Sequence, residues 1–446
     1  MKKAAILLLA GAQLLAVTGF WLWSHTRHEM GNLLVGDAPD QVLAWARLAG
    51  LLATLAVLFQ LALVGRVRWV EQTFGMDRLT RLHHVAGFAL VLLLLIHPAL
   101  ATLGHAMQAE AGFLAQSADF LKSWEGLPAA YAGTALFLMA GAMSVLVLAK
   151  RLDYQRWYLT HLTLYVAFAL TVLHQVSVGG DLTGHRGFRL YWYALYAGVA
   201  LAFLAYRVGR PLAAFARHRF TVEGIVPEAG DVTSVYIGGK NMAAFQAEAG
   251  QFLIVRFLAR GFRWEAHPFS LSRPPDGRCL RLSIKRLGDY TRRVPDLKPG
   301  TPVLIDGPHG IFTAKRCGSR KALLIAGGIG ITPIRSIAEE LVKADRECLL
   351  VYANRNSATM VFKEELEKLA ARSGGRLTLV PVMSDEPSWV GEKGRVDRAL
   401  LSRLAPDAPS RDVFLCGPPP MMKGLRAALA EMGVAAARIH DERFAL

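Results

Sequence analysis

Long apolar runs dominate the chain up to about residue 208, and beyond that point they shrink to the length of single β-strands. A membrane-spanning helix needs about 20 mostly apolar residues. Six stretches meet this requirement: Ala4–Trp23, Val42–Val64, Leu82–Leu103, Ala130–Ala149, Trp157–Val178 and Leu190–Val208. The pattern predicts a membrane all-α bundle of six helices, followed by a soluble half.

The soluble half begins with short apolar stretches separated by Gly and Pro, which is typical of a small antiparallel β-barrel. The predicted strands are Phe220–Val226, Val232–Ile237, Gln251–Phe257, Leu280–Lys285 and Val303–Asp306. Strands then alternate with amphipathic helices, which predicts an α/β domain with a parallel sheet. Its predicted strands are Lys321–Ala326, Leu349–Ala353 and Asp412–Leu415. We expect three domains, at residues 1–212, 213–316 and 317–446.

Basic residues are concentrated in alternate connecting segments, and the positive-inside rule converts this bias into an orientation. Segment 65–81 holds four arginines, whereas loop 104–129 holds one lysine and no arginine. We therefore expect a multi-pass protein of the bacterial inner membrane with its N-terminus and soluble half in the cytoplasm. The first span could instead be a cleaved signal peptide, although no convincing small-residue cleavage site follows it.

The net charge of +16 does not predict a nucleic-acid partner. Much of the excess flanks apolar segments and does not form one basic stripe with interleaved aromatic residues. Four cysteines lie in the soluble half without metal-ligand spacing, which argues against a zinc site and favours a reducing compartment. They are Cys279, Cys317, Cys348 and Cys416.

Histidines inside the third and fifth spans are candidates for chemistry, because an ionisable side chain in the hydrocarbon layer is costly. The third span contains His83 and His97, and the fifth contains His161 and His174. Both spans run from the cytoplasm outward, so each level of the membrane receives two histidines from two helices. Two imidazoles supply both axial ligands of a haem. At 1.5 Å per residue, the two levels lie roughly 20 Å apart.

Other interpretations of these histidines remain open. They could pack against neighbouring helices through hydrogen bonds or form a proton path, and His84 could replace His83 as a ligand. The spacing from His83 to His97 returns nearly to the same helix face. The spacing from His161 to His174 misses that face by about 140° in an ideal helix.

One segment within the predicted barrel reads His267-Pro268-Phe269-Ser270-Leu271-Ser272. Such a strand could stack an aromatic ring on an isoalloxazine and hydrogen-bond its N5 edge. The following segment, 284–291, offers basic side chains and turn N–H groups for a diphosphate. Each segment alone is weak evidence for a flavin site, because similar segments recur in any β-barrel.

A glycine-rich turn follows the first α/β strand and reads Gly327-Gly328-Ile329-Gly330-Ile331-Thr332-Pro333. Glycines here let backbone N–H groups approach a diphosphate, whose charge the helix N-terminus favours. Pro333 suits the first turn of that helix. A purely structural turn is the alternative.

Two further strand ends carry candidate residues. Arg355 follows the second α/β strand, where its guanidinium could pair with an adenosine 2′-phosphate and favour NADPH, although arginines are common on exposed loops. The third strand leads into Cys416-Gly417-Pro418-Pro419-Pro420. That segment puts a thiol at the edge of the sheet where ligands bind.

Together these motifs resemble the ferric reductase and NADPH oxidase superfamily, and its bacterial members especially. Its members join a six-helix haem domain to a ferredoxin-NADP reductase-like module. His83 with Gly87 and His97 is similar to the third-helix haem motif, and His161 with His174 matches the fifth-helix pair.

The resemblance also implies roles in the soluble half. Segment 267–272 is similar to the flavin motif. The resemblance places Ser270 near flavin N5 and makes Ser272 a further flavin-binding residue. The segment with Lys285, Gly288 and Thr291 looks like the flavin diphosphate site. Residues 327–333 and 416–420 resemble the nicotinamide-cofactor motifs. The final residues 439–444 are similar to C-termini whose aromatic ring, here that of Phe444, covers the flavin.

The resemblance implies electron transfer from NADPH or NADH through FAD and two b-type haems to an acceptor outside. An inner haem would use His83 and His161, and an outer haem His97 and His174; Cys416 and Phe444 would line the hydride site. Oxygen, giving superoxide, is the favoured acceptor, and the alternatives are ferric iron, another metal or a partner redox protein. Ala101 stands where eukaryotic NADPH oxidases often have histidine, which puts superoxide production by that route in doubt.

Overall fold

The computed structural model describes residues 2–27, 33, 36–122, 127–148, 151, 154–178 and 180–443. The chain divides into two compact units. The first comprises Met1–Phe74 and Arg78–Tyr206, and the second comprises Gly75–Asp77 and Arg207–Leu446.

Helices joined by short turns make up the described part of the first unit. Its helices are α1 (Lys2–Arg27), α2 (Ala38–Val64), α3 (Arg68–Phe74), α4 (Met76–Gln108), α5 (Phe113–Lys122), α6 (Leu127–Leu148), α7 (Tyr154–Val178), α8 (Gly180–Gly184) and α9 (Arg186–Leu204). Within the described residues, six helices are long and apolar enough to cross a membrane, and each overlaps one predicted span. The chain is therefore a membrane protein.

The surface of these helices matches a lipid environment. Large apolar side chains remain exposed along them, among them Leu8 and Leu15 at 73% and Val85 at 67%. Such an apolar surface would be unfavourable in water, whereas the hydrocarbon of a membrane solvates it without further protein contacts. Helix α2 begins sharply because the Asp37 carboxylate accepts a hydrogen bond from the Asp40 amide at 3.3 Å, which satisfies one N–H of the first turn.

A π-helical turn at Ala205–Gly209 crosses the sequence boundary between the two units, and helix α10 (Arg210–His218) follows it in the second unit. Six strands follow, with the short helix α11 (Asp289–Arg292) between the last two. They are β1 (Thr221–Glu228), β2 (Val232–Gly238), β3 (Phe252–Phe257), β4 (His267–Ser270), β5 (Leu280–Lys285) and β6 (Val303–His309).

These six strands form two three-stranded antiparallel sheets, ordered β1-β2-β5 and β4-β3-β6. Two isolated bridges, Thr221 to Pro302 and Leu271 to Leu282, connect the two sheets. Val235, Leu253 and Leu282 are fully buried in their shared core. The antiparallel arrangement is confirmed, whereas closure into one barrel is not.

The rest of the second unit is an α/β domain with a six-stranded parallel sheet, ordered β10-β9-β8-β7-β11-β12. The strands are β7 (Lys321–Gly327), β8 (Glu347–Asn354), β9 (Leu377–Met383), β10 (Glu392–Lys393), β11 (Asp412–Cys416) and β12 (Ile439–Glu442). The helices are α12 (Ile331–Lys343), α13 (Lys363–Arg372), α14 (Arg398–Leu404) and α15 (Pro419–Glu431). Strand β7 pairs with β8 on one side and with β11 on the other, so the strand order of the sheet reverses at β7. Ligands bind at such a switch point.

Candidate functional site

Two pairs of histidines face each other between helices α4 and α7. The ring centroids of His83 and His161 are 6.1 Å apart, and those of His97 and His174 are 6.4 Å apart. We call the first the inner pair and the second the outer pair, following the predicted orientation. The structure thus brings together all four histidines that the sequence singles out, two at each level.

The ring separations fit a metal between the two imidazoles of each pair. Imidazole nitrogens bind transition metals at about 2 Å, so two rings gripping one iron from opposite sides have centroids roughly 6 Å apart. In direct contact, aromatic rings pack as close as ~4.5 Å. Direct ring contacts extend to about 7 Å, and both pairs are also far enough apart to hold a shared metal, which fits bis-histidine ligation of a haem.

Helix α2 orients the outer pair. The Nδ1 atom of His97 lies 2.8 Å from the Ala46 carbonyl oxygen. Since a carbonyl only accepts, Nδ1 carries the proton and donates, which leaves the Nε2 lone pair free for a metal. Gly50, one turn further along α2, lies against the same ring, and a Cβ added there would be 2.8 Å from His97 Cε1 and Nδ1.

Sequence reasoning missed Ala46 and Gly50. A backbone carbonyl has no signature in the sequence, and one glycine in an apolar span has no distinctive pattern. The close approach of α2 to α4 becomes visible only in the folded helices.

Replacing Gly50 with alanine tests this close approach. The added methyl group would push the His97 ring out of line, so, if each histidine pair holds a haem, we expect loss or an altered optical spectrum of one haem while the other stays intact. Haem content and visible spectra of the purified protein measure the effect. Gly198→Ala is the matched control, because Gly198 in α9 has nothing within 4 Å of its added Cβ. Equal spectra for both variants would contradict this account of α2.

The 13-residue spacing from His161 to His174 lies within one continuous helix. Helix α7 is a single α-helix from Tyr154 to Val178 with no change of helix type between its two histidines. The two rings of the outer pair nevertheless lie 6.4 Å apart. The ring of His83 faces His161, whereas His84 is exposed. This geometry favours His83 over His84 as the inner ligand.

The predicted flavin segment forms strand β4 and the residues just after it. The Oγ atom of Ser270 is buried and has no hydrogen-bond partner among the described residues. An unpaired buried hydroxyl is costly, so this position fits a bound group that supplies a partner. His267 packs on Tyr290 with centroids 4.1 Å apart, and its Nε2 atom lies 3.2 Å from Glu265. Pro268 is exposed and Phe269 half-buried.

Ser272 lies in a different environment. It is fully buried, its hydroxyl lies 2.8 Å from that of Ser283, and Arg281 Nε donates to it at 3.1 Å. Arg281 in turn forms a two-pronged ion pair with Glu365 on α13, at 2.6 and 3.1 Å. These contacts account for Ser272 without a ligand, and its role in flavin binding stays a prediction.

The predicted diphosphate segment forms a capped turn. The Thr291 hydroxyl oxygen accepts hydrogen bonds from the Leu287 and Gly288 amides at 2.9 and 3.0 Å. Gly288 is exposed at the start of α11, and Lys285 is half-buried at the end of β5. Thr291 therefore shapes the turn, and it leaves exposed backbone and a basic side chain available to an anion.

The glycines of the β7–α12 turn divide into two groups. A Cβ on Gly330 would lie 2.3 Å from the Cys416 carbonyl oxygen, and one on Gly327 would lie 2.9 Å from Pro418 Cδ. Gly417 lies 3.2 Å from Gly327 by the same measure. These glycines let the β7–α12 and β11–α15 turns pack against each other. Gly328 has a φ of +53° and open space around it, which suits approach by a ligand.

The remaining residues of the nucleotide turns are placed as follows. Thr332 is buried and its hydroxyl donates to the Ile329 carbonyl at 3.0 Å. Pro333 lies in the first turn of α12, as predicted. Arg355 is exposed directly after β8. Phe444 lies outside the described residues, so its predicted position over a flavin has no structural account.

Cys416 ends β11 and is fully buried. Burial, followed by the nearby Glu442 carboxylate, raises the pKa of its thiol well above the ordinary value. A raised thiol pKa keeps the neutral S–H form across the physiological range, and the thiolate appears only at more alkaline pH. The side chain therefore acts as a small neutral group at the strand end and not as a nucleophile.

This protonation state predicts slow alkylation. Iodoacetamide reacts with the thiolate, so at pH 8 we expect modification of half-buried Cys279 well before Cys416, with Cys416 protected until the protein unfolds. Peptide mass spectrometry of the native protein measures both sites in one sample, and urea-treated protein is the control. Equal labelling of the two cysteines in native protein would contradict the burial argument.

Three family models match the chain. The ferric reductase like transmembrane component matches residues 49–172. The FAD-binding domain matches residues 219–312, and the oxidoreductase NAD-binding domain matches residues 324–427. The chain therefore combines a segment similar to a ferric reductase transmembrane component with an FAD-binding domain and an oxidoreductase NAD-binding domain.

The chain is also similar to known reductases. The stachydrine N-demethylase reductase subunit of Rhizobium meliloti is 30% identical over 49% of this chain and 64% of that relative. The ferredoxin reductase component of 3-ketosteroid-9-alpha-monooxygenase from Rhodococcus rhodochrous is 30% identical over 50% and 64%. The chain thus spans less than two thirds of the length of these curated relatives. The flavohem-like FAD/NAD-binding domain of nitric oxide dioxygenase from Vibrio cholerae is 26% identical, with a TM-score of 0.46 over 50% of this chain and 98% of that domain.

Proposed function

We propose that this chain, whose domains give it the ferric reductase/NADPH oxidase-like architecture, carries electrons from cytoplasmic NAD(P)H to an acceptor on the outer face of the bacterial inner membrane. FAD and two b-type haems are the groups we propose it binds, in domains at residues 1–212, 213–316 and 317–446, the middle one a closed barrel. The observation that carries the proposal is the separation of 6.1 and 6.4 Å within the two histidine pairs.

In this proposal the bound groups supply two kinds of chemistry: the flavin turns a two-electron hydride donor into a one-electron source, and the haem irons carry single electrons. The protein's own residues bind and orient them. His83 and His161 hold the inner iron, and His97 and His174 hold the outer one. The Ala46 carbonyl keeps the proton of His97 on Nδ1, so that Nε2 stays available to the metal.

The soluble residues have matching roles. The Ser270 hydroxyl, which is buried without a partner among the described residues, offers a hydrogen bond to the flavin N5 edge. Lys285 and the Gly288 turn hold the flavin diphosphate. The open Gly328 turn, at the start of α12, receives the nicotinamide-cofactor diphosphate. Neutral Cys416 lies at the strand end, where it lines the nicotinamide site, and Phe444 covers the flavin.

Two smaller roles complete the proposed nucleotide site. Arg355 pairs with a 2′-phosphate, which makes NADPH the favoured donor over NADH. Thr332 and Pro333 fix the first turn of α12, with Gly327, Gly330, Gly417 and Pro418 packing the two turns together. Replacement of Arg355 would raise the KM for NADPH and leave that for NADH unchanged, because only NADPH carries the extra phosphate.

The experiment is anaerobic addition of NADPH to detergent-purified protein, followed by admission of oxygen or Fe³⁺. We expect the haem absorbance bands to shift to the reduced form and then to return when the true acceptor enters. Oxygen is the favoured acceptor, and cytochrome c reduction sensitive to superoxide dismutase would identify superoxide. Reoxidation by Fe³⁺ alone would make the protein a ferric reductase. A purified protein without haem would contradict the proposal.

A second candidate is an electron donor for a partner redox protein. Two matched relatives are by name the reductase subunit of a demethylase and the ferredoxin reductase component of a monooxygenase, which favours it. Copurification of a partner, with slow reoxidation by both oxygen and Fe³⁺, would support this alternative over the first.

A further inference from the structure

A network of polar side chains lies among helices α2, α7 and α9 of the helical unit. The Tyr196 hydroxyl donates to Gln175 Oε1 at 2.6 Å, and Gln175 Nε2 donates to Thr54 Oγ1 at 2.9 Å. The Thr54 hydroxyl then donates to the Gly50 carbonyl oxygen at 3.1 Å. Trp192 Nε1, fully buried, approaches the same Gln175 oxygen at 3.4 Å.

The donors fix the direction of every bond in this network. An indole N–H only donates, so the Gln175 oxygen must face Trp192 and its amide nitrogen must face Thr54. Each group therefore has one favourable orientation. The three helices are held in one rotational register by this set of bonds.

The network ends beside both members of the outer pair. Gln175 is the residue after His174 on α7, so its side chain fixes the rotation of the turn that carries that histidine. At the other end, Gly50 is the glycine whose Cα lies against the His97 ring. The polar side chains thus connect the backbone of one outer histidine with the contact surface of the other.

Simple helix adhesion is the competing explanation. Single interhelical hydrogen bonds in membranes contribute little to stability, so adhesion alone predicts small effects spread over the whole bundle. Polar side chains inside membrane-spanning segments are costly and often mark function. The two explanations differ in where a substitution in the network acts. Adhesion predicts changes throughout the helical bundle, whereas a functional role predicts changes only at the outer histidine pair.

We propose that Tyr196, Gln175 and Thr54 are positioning residues that set the angle between the two outer imidazole planes. That angle is 52° in the outer pair and 74° in the inner pair. The inference rests on the proposed function, because it requires a metal between the outer histidines. Orientation of axial ligands and hydrogen bonding around them tune a haem's electronic structure and potential.

The test uses full-length protein in detergent with Tyr196 replaced by phenylalanine, which removes one hydroxyl and keeps the ring. We expect both haems to be retained and one to change its low-spin ferric EPR signal and its midpoint potential. The changed haem should be the one whose signal disappears in a His174→Ala variant. Tyr193→Phe is the matched control, since Tyr193 lies on the same helix with its side chain 40% exposed, and it should change neither haem.

A second variant guards against simple misfolding. Gln175→Met keeps the side-chain length and removes the hydrogen bonds to Tyr196, Trp192 and Thr54, and it should shift the same haem or selectively release it. Parallel loss of both haems in the two variants, or unchanged signals with both haems bound, would overturn the inference. Absence of haem from the wild-type protein would instead overturn the proposed function, so the two failures are distinguishable.

Discussion

Under the proposed function, replacing His83 with alanine is expected to remove one of the two proposed haems and to lower acceptor reduction on the order of 100-fold or more. Loss of a residue that merely supports a metal ligand already costs 10–100-fold, and here the ligand itself is lost. The partner His161, 6.1 Å away, cannot hold the iron from both sides. NADPH-dependent flavin reduction should persist, because the soluble unit is unchanged. Haem content by absorbance and acceptor reduction by steady-state assay measure the two effects.

His84→Ala is the matched control for this prediction. His84 is the adjacent residue with the same side chain, and it is exposed. We expect this variant to keep both haems and its activity. If His84→Ala lost a haem and His83→Ala did not, the assignment of the inner ligand would be reversed.

Replacing Gly330 with alanine is expected to have the largest effect in the soluble unit. The added Cβ would lie 2.3 Å from the Cys416 carbonyl oxygen, and neither backbone can yield without separating the two turns. Overpacking of this kind costs about 1–3 kcal/mol of stability. Because both turns belong to the proposed nucleotide site, flavin reduction by NADPH should slow at least tenfold. Thermal unfolding and stopped-flow flavin absorbance measure stability and reduction separately.

Gly424→Ala gives the opposite expectation in the same domain. Gly424 lies within α15 with nothing within 4 Å of its added Cβ. Alanine is the better helix former, so stability should stay the same or rise by up to about 1 kcal/mol. Similar losses of stability in Gly330→Ala and Gly424→Ala would show that the specific contact with Cys416 is not the cause of the loss.

The membrane half was largely predictable, because hydrocarbon demands a continuous apolar run and the run is visible in the sequence. The four histidines were visible for the same reason, as polar interruptions of those runs. The short helices α3, α5 and α8 were not predicted. Each is too brief for helical periodicity to identify, and their positions follow from packing.

Most strands of the soluble half were predicted, whereas β9, β10 and β12 were not. Strand β9 was missed because Pro381 interrupts it, and proline usually excludes a strand. The structure tolerates it, since β10 pairs only with Val382 and Met383 and leaves Pro381 with a single neighbouring strand. Strand β12 is polar over His440-Asp441-Glu442 and has no alternation to detect.

The distinction among the glycines also could not be predicted. The sequence presents 327, 328 and 330 as one phosphate-binding motif. Only the neighbouring β11–α15 turn decides that Gly330 serves turn packing while Gly328 stays open. Contacts between segments almost 90 residues apart carry no local signal.

The vertical separation of the two histidine levels has an electrical consequence. Fourteen residues of helix rise span about 20 Å, roughly two thirds of a 30 Å hydrocarbon layer. A charge crossing the whole layer exchanges about 2.3 kcal/mol with each 100 mV of membrane voltage. If electrons pass outward between the two histidine levels, each electron gains roughly 1.5 kcal/mol from an inside-negative voltage of 100 mV. Each transfer also reduces that membrane voltage. Sustained turnover in sealed vesicles would then depend on a compensating ion current and accelerate when an ionophore provides one.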